Sequence, residues 1–176
     1  MGGRKEDHMN FEYIRNKKVY LSSAMEFAED EEMKHWRNKI KPKLQELGLI
    51  VLDPEDKKSE HPDDTKTLHE AIIGAKRSGH YQRFMELVGP VVSDDMQMVS
   101  VADFLIVFWD NNIQSVGTVS EVWSAYLSKK PILLVLRGKK IETSSWLMYT
   151  VLSNGKIFDN FNHLLDFLGG SHENKA

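Results

Sequence analysis

Phe104-Leu105-Ile106-Val107-Phe108-Trp109 is the stretch that decides the fold. A strand with one wet face alternates apolar and polar side chains; this run has no polar position at all. It reads as a strand buried on both faces, as at the centre of a parallel sheet. Downstream, Asp110–Val116 is a polar loop and Thr118–Ser128 a helix. Lys129-Lys130 suits the negative end of that helix. Ile132–Leu136 is a second doubly buried strand. Ser144–Leu152 reads as helix, Lys156–Phe158 as a short strand and Phe161–Leu168 as a terminal amphipathic helix.

Upstream, Lys18–Ser22 is a short apolar strand. Phe27, Met33, Trp36, Ile40, Leu44 and Leu47 recur at helical steps and predict a helix over Met25–Leu47. Pro42 lies inside it and predicts a kink or a split. Gly48 suits the position just past a helix end. Leu49–Leu52 is a strand, closed by Asp53-Pro54. Glu55–Asp64 reads as a loop and Thr65–Arg77 as a weak helix. After Ser78-Gly79 the helical spacing resumes over Tyr81–Val101, with a kink or register change expected at Gly89-Pro90. Strands and helices alternate throughout. The prediction is a three-layer α/β sandwich with a five-stranded parallel sheet, in the flavodoxin-like or Rossmann-like order 2-1-3-4-5. Its domain spans 17–170. Residues 1–16 form an arm, unstructured or foreign to the natural chain, and 171–176 a tail.

The 176 residues suit one domain, and 41% hydrophobic with 28% charged residues is a globular composition. There is no cysteine, which excludes disulfides, thiolate zinc sites and a cysteine nucleophile and fits a cytoplasmic protein. A net charge of −3 and no basic stripe argue against a nucleic acid polymer as partner. The longest apolar runs are too short to cross a bilayer, and Met1–His8 has no apolar core of the secretory kind. The histidines form no His-x-x-x-His pair, so no metal is expected.

Ligands of open α/β sheets bind beyond the carboxyl ends of the strands, where strand order reverses. In the order 2-1-3-4-5 that crevice lies between the first and third strands. Tyr20–Met25 and Asp110–Glu121 face each other across it. Ser22, Ser23, Ser115, Gly117 and Thr118 are the expected substrate contacts, Gly117 because backbone approaches a ligand there and the next helix offers free N–H groups. Glu121 has two readings. Thr118-x-x-Glu121 matches a capping box, with Thr118 as N-cap and Glu121 folded back onto the backbone. Alternatively the carboxylate projects into the crevice, where such a group serves as nucleophile or base in sugar chemistry.

The pattern Val101-Ala102-Asp103, apolar strand, Ser115-Val-Gly117-Thr118-Val-Ser-Glu121, Ala125, Lys130-Pro131 resembles the nucleoside 2-deoxyribosyltransferase family. So do Val19-Tyr20-Leu21-Ser22-Ser23, Gly48–Pro54 and the terminal Ile157-Phe158. The likeness covers most of the chain and is poorest over Lys57–Phe84. It implies that Glu121 attacks C1′ of a 2′-deoxynucleoside, displaces the base and passes the sugar to a second base. The partners are then a deoxynucleoside or deoxynucleotide and a free base, and no cofactor is needed. Tyr20 matches a tyrosine that orients the nucleophile. Asp103 matches an aspartate that handles the departing base, and Asp95 another recurrent acidic position. The resemblance also implies a homo-oligomer, whose partner subunit reaches the pocket near Ser144, Ser145 or Trp146; by its own character Trp146 reads as core.

One departure bears on substrate. The transferases carry an aspartate six residues before the nucleophile, and here it is Ser115. A serine there resembles the 2′-deoxynucleoside 5′-phosphate N-hydrolases, where it helps bind phosphate. Those also place a serine and an arginine after the first strand, where this chain has Ala24 and Glu26. Arg77 or Arg83 is a candidate to compensate. Hydrolysis of a nucleoside or its 5′-monophosphate is therefore the alternative activity, and a nucleotide sensor without turnover the alternative class.

Overall fold

The computed structural model describes residues 14–24, 31–56, 62–113 and 115–170, without the side chains of 31–34 and 62–67. Most of the expected arm, the whole tail and the first part of the expected helix, 25–30, lie outside the described residues. The strands are β1 (Lys18–Ser23), β2 (Ile50–Leu52), β3 (Phe104–Asp110), β4 (Ile132–Arg137) and β5 (Gly155–Phe158). They form one all-parallel sheet in the order β2-β1-β3-β4-β5, as the alternation predicts. Among the described residues the helices are α1 (Glu31–Glu46), α2 (Pro62–Arg77), α3 (Tyr81–Val101), α4 (Val116–Leu127), α5 (Ser145–Asn154) and α6 (Phe161–Gly170), with a 3₁₀ turn at Lys140–Glu142.

Side chains of β3 part alternately to the two faces of the sheet. Phe104, Ile106 and Phe108 join a core with Trp36, Ile40 and Leu44 of α1 and Leu164 and Leu168 of α6. Leu105 and Val107 join another with Val99 of α3, Val122 and Ala125 of α4, and Leu147 and Val151 of α5. Both faces are covered, which is why the run has no polar position. The indole of Trp36 stacks on Phe161 at 5.3 Å between ring centres and tilts against Phe108 at 5.7 Å.

Neither proline breaks its helix. Pro42 and Pro90 lie inside continuous helices. An interior proline frees the carbonyl four residues earlier and costs about 3 kcal/mol. The carbonyls concerned belong to Asn38 and Glu86, both exposed residues, so water can satisfy them. In α1 the buried Trp36, Ile40 and Leu44 flank the proline, and each contributes about 1.5–3 kcal/mol, enough to offset it. The end of α1 is as read from Gly48: at φ 83° it turns the chain, Leu49 N–H bonds Leu44 O at 3.1 Å and Gly48 N–H bonds Gln45 O at 2.9 Å.

Two helix starts differ from expectation. α2 begins at Pro62, inside the expected loop; proline is at home in the first helical position, where its missing N–H costs nothing. α4 begins at Val116 because Ser115, not Thr118, is its N-cap.

Candidate active site

Ser115 Oγ accepts the Thr118 N–H at 3.2 Å and lies 2.9 Å from Thr118 Oγ1. That pair closes the end of α4 by itself, so Glu121 is the sixth residue of the helix and is out of reach of its cap. Thr118, Glu121, Val122 and Ala125 are the buried residues of α4, spaced along one face that lies on the sheet. A carboxylate in such a stripe is costly unless donors meet it. Strand β1 supplies two. Tyr20 Oη donates to Glu121 Oε1 at 2.8 Å, and Ser22 Oγ donates to Oε2. Tyr20 and Ser22 are two apart in a strand and so project to the same face. The capping-box reading of Glu121 does not hold: both of its oxygens face the strand end.

Burial pushes the Glu121 carboxyl up from 4.5 to about 6. The Ser22 and Tyr20 hydroxyls oppose the rise, the negative charge of Asp95 adds to it, and the Arg37 guanidinium opposes it. Burial and the Glu121 charge drive the Tyr20 phenol far upward, so it stays a protonated donor. Asp95, half-buried on α3, is thus near enough for its charge to be felt by both.

The remaining expected residues divide by position. Gly117 stands at the exposed start of α4, and a Cβ there would meet nothing nearer than Ser115 Oγ at 4.0 Å. No protein contact demands that glycine. Ser23 faces the other layer, where its Oγ accepts the Trp36 indole N–H at 3.1 Å. Asp103 is not brought to Glu121. It precedes β3, at the amino edge of the sheet: its N–H bonds Lys18 O at 2.8 Å and its Oδ2 accepts Lys18 N–H at 2.7 Å. Lys17 holds its other oxygen at 3.1 Å; burial pushes the carboxyl up, but the Lys18 N–H, Lys17 and the charge of Lys130 together outweigh it and draw the carboxyl below the usual range. Four residues of strand, ~13 Å, separate Lys18 from Ser22. Asp103 therefore anchors the start of β1, and its expected role at the departing base is corrected. Trp146, read as core, is also corrected. It is 75% exposed beside Trp123, and the two rim an apolar cavity of about 150 Å³ between α4 and α5.

Sequence reasoning missed Arg37. It is fully buried on α1 at the carboxyl end of β2. Its Nε lies 3.4 Å from Asp53 Oδ1, an ion pair without hydrogen-bond alignment, and its Nη1 bonds Glu55 at 3.3 Å. Nothing in the sequence separates this arginine from the exposed charges of the same helix; only Asp53, closing a strand at the ligand edge, hinted at a partner. Among the described residues no three His, Cys, Asp or Glu side chains gather to hold a metal ion, and no helix is long and apolar enough to cross a membrane.

No protein-family model matches the chain, and no curated protein matches it in sequence. Solved structures do match. A 2-deoxyribosyltransferase from Bacillus psychrosaccharolyticus superposes with a TM-score of 0.59 at 20% identity, over 85% of this chain and 90% of that one. The chain shares the fold of a 2-deoxyribosyltransferase. A conserved protein from Enterococcus faecalis V583 superposes equally well, at 0.59 and 13% identity, over 88% of this chain and 98% of that one. A CMP N-glycosidase of Clostridium botulinum reaches only 0.48 at 18% identity, over 87% and 99%, a looser likeness that adds nothing to the fold.

Proposed function

We propose that the protein cleaves the N-glycosidic bond of 2′-deoxynucleosides with Glu121 as nucleophile and transfers the sugar to an acceptor base. The observation that carries this reading is that both oxygens of one buried carboxylate are held by hydroxyls of the neighbouring strand end, at the sheet's ligand edge, and not by its own helix. Tyr20 aims the carboxylate. A carboxylate oxygen forms a bond to C1′ as the C1′–N bond breaks. The base leaves with that electron pair and is protonated from solvent or through Asp95. A second base then attacks C1′ of the ester and releases Glu121. Two displacements at one carbon retain the anomeric configuration. Ser115, Gly117 and Thr118 line the start of α4, where backbone N–H groups face substrate oxygens. The exposed Trp123, Trp146 and Tyr149 suit contact with a second copy of the chain in a homo-oligomer.

Ser115 in place of an aspartate favours a second reading, hydrolysis of the 5′-monophosphate, because a hydroxyl beside a helix start tolerates an anion better than a carboxylate does. One experiment separates them. Deoxynucleosides and their 5′-monophosphates are incubated with and without a second free base, and products are followed by chromatography. A new nucleoside appearing only with the second base is expected. Free base without any acceptor points to the hydrolase. Binding of a nucleotide by calorimetry with no turnover leaves the sensor.

The nucleophile must be ionised, so kcat/KM is expected to fall as pH drops through about 6, the value to which burial raises Glu121. A rate profile that stays flat down to pH 4.5 would contradict a carboxylate buried in this way.

A further inference from the structure

Arg37 carries more donors than its partners use. Its side chain is 1% exposed and its Nη1 donates to Glu55 Oε1 at 3.3 Å. Asp53 lies 3.4 Å from Nε but out of line, and among the described residues nothing accepts from Nε or from Nη2. In a guanidinium the Nε hydrogen and one Nη2 hydrogen run parallel along one edge, a fork shaped for two acceptors side by side. Holding the end of β2 does not call for that edge. Lys41, one turn along α1, lies 3.5 Å from Asp53 Oδ2 and bonds Asp56, and Asp53 Oδ1 accepts the Glu55 N–H at 3.0 Å. A buried cation with idle donors is costly, a cost that acceptors arriving with a ligand would relieve.

Asp53 directly follows Leu52, the register partner of Tyr20, so Arg37 stands at the carboxyl edge beside the strand that aims Glu121. Its charge is felt by both Tyr20 and Glu121, yet among the described residues it bonds to neither. In an in-line displacement the base lies on the far side of C1′ from the attacking oxygen, so a group that meets the base must stand off from the nucleophile. The ion pairs of Arg37 and Lys41 with Asp53, Glu55 and Asp56 set three carboxylates against two cations. That balance repels a phosphate dianion and suits a neutral pair of acceptors. We infer that the Nε–Nη2 edge of Arg37 reads the departing base, donating to a carbonyl oxygen and the unprotonated ring nitrogen beside it, as in O6 and N7 of hypoxanthine or guanine and O2 and N3 of cytosine. Adenine sets an amino hydrogen, and uracil a ring N–H, against one arm of the fork. When the C1′–N bond breaks, its electron pair passes into the base and spreads onto these two acceptor atoms. Hydrogen bonds from a fixed cation strengthen as that charge grows, and the base takes its proton from elsewhere because the guanidinium keeps its own. The inference rests on the glycosidic reading of the site.

The test uses two pairs of substrates with one sugar: 2′-deoxyinosine against 2′-deoxyadenosine, and 2′-deoxycytidine against 2′-deoxyuridine. Released base is measured by chromatography for native protein and for Arg37→Lys, whose ammonium keeps the charge and can still pair with Asp53 but has no fork. Native kcat/KM is expected to favour the first member of any pair that is cleaved by about ten-fold or more, the scale on which a bidentate contact discriminates. In Arg37→Lys that preference is lost, while thermal melting reports a folded chain. A role confined to anchoring β2 would instead lower both members of a pair alike and leave their ratio unchanged. Should Arg37→Lys not fold, the native preferences decide alone. Equal native rates within a cleaved pair, or a folded variant that keeps the native ratio, would overturn the role of Arg37 while leaving the function intact. So would a preference for 5′-monophosphates that Arg37→Lys removes, since the fork would then hold phosphate. A native protein that cleaves no glycoside at all would overturn the function and this inference together.

Discussion

A Glu121→Gln chain is expected to lose glycosidic cleavage by about 10³-fold or more, the scale on which loss of a nucleophile is felt. The amide is isosteric but cannot form the ester to C1′. It can still accept from Tyr20, and the Ser22 hydroxyl can turn to accept from the amide nitrogen, so the fold should persist. The same substitution is expected to stabilise the protein at alkaline pH. The carboxyl is raised from 4.5 to about 6 in the folded state, so the native protein binds this proton more tightly than the unfolded chain does. Its favourable contribution is fully present below about 4.5 and lost as pH rises through about 6. Above that, keeping the charge buried costs about 2 kcal/mol at most. Glutamine never ionises and avoids that cost. Thermal melts should therefore show the variant a few degrees above native at pH 8 and nearly level at pH 4.5. Retained turnover would remove Glu121 from the nucleophile's role; a variant less stable than native at pH 8 would contradict the buried charge.

The largest effect on stability is expected at Gly155. Helix α5 runs straight into β5 there with no intervening loop. The backbone at φ −167° is extended and open to any residue, so conformational freedom is not the reason for the glycine. Space is. A Cβ at Gly155 would sit 1.8 Å from Ile132 O and 2.6 Å from Ile132 C. Those are main-chain atoms of β4, and Ile132 is completely buried, so neither strand has room to yield. Gly155→Ala should cost about 3 kcal/mol or more, at the upper end of overpacking penalties. Gly89→Ala is the matched control: it lies in the interior of α3 with nothing within 4 Å, and should be neutral or gain up to about 1 kcal/mol. Urea titrations of the two variants give the comparison. A Gly155→Ala domain as stable as native would mean that β4 and β5 do not approach as closely as described.

Much of the fold was legible because it follows from periodicity. A fully apolar Phe104–Trp109 has to be covered on both sides, and the alternation of such runs with helical stripes leaves few sheets to choose from. The Gly48 cap was readable for the same reason: the turn it makes is local. The placement of Asp103 was legible too, in hindsight, since a residue before a parallel strand and one after it must lie at opposite ends of the sheet.

Three things needed the tertiary structure. Ser115-x-x-Thr118 and Thr118-x-x-Glu121 are both acceptable helix starts in sequence, and local preference does not rank them; the sheet does, by burying the face that carries Thr118 and Glu121. The continuity of α1 and α3 through Pro42 and Pro90 depends on which carbonyls reach water, a matter of which side the neighbouring layers cover. The Glu121 site joins side chains 99 and 101 residues apart, and the charge of Arg37 reaches it from a third element. Local patterns encode which face of each element seeks the core, because backbone geometry repeats at short range. Which polar groups meet across the gap depends on register and layer contacts, and these exist only once the elements have packed.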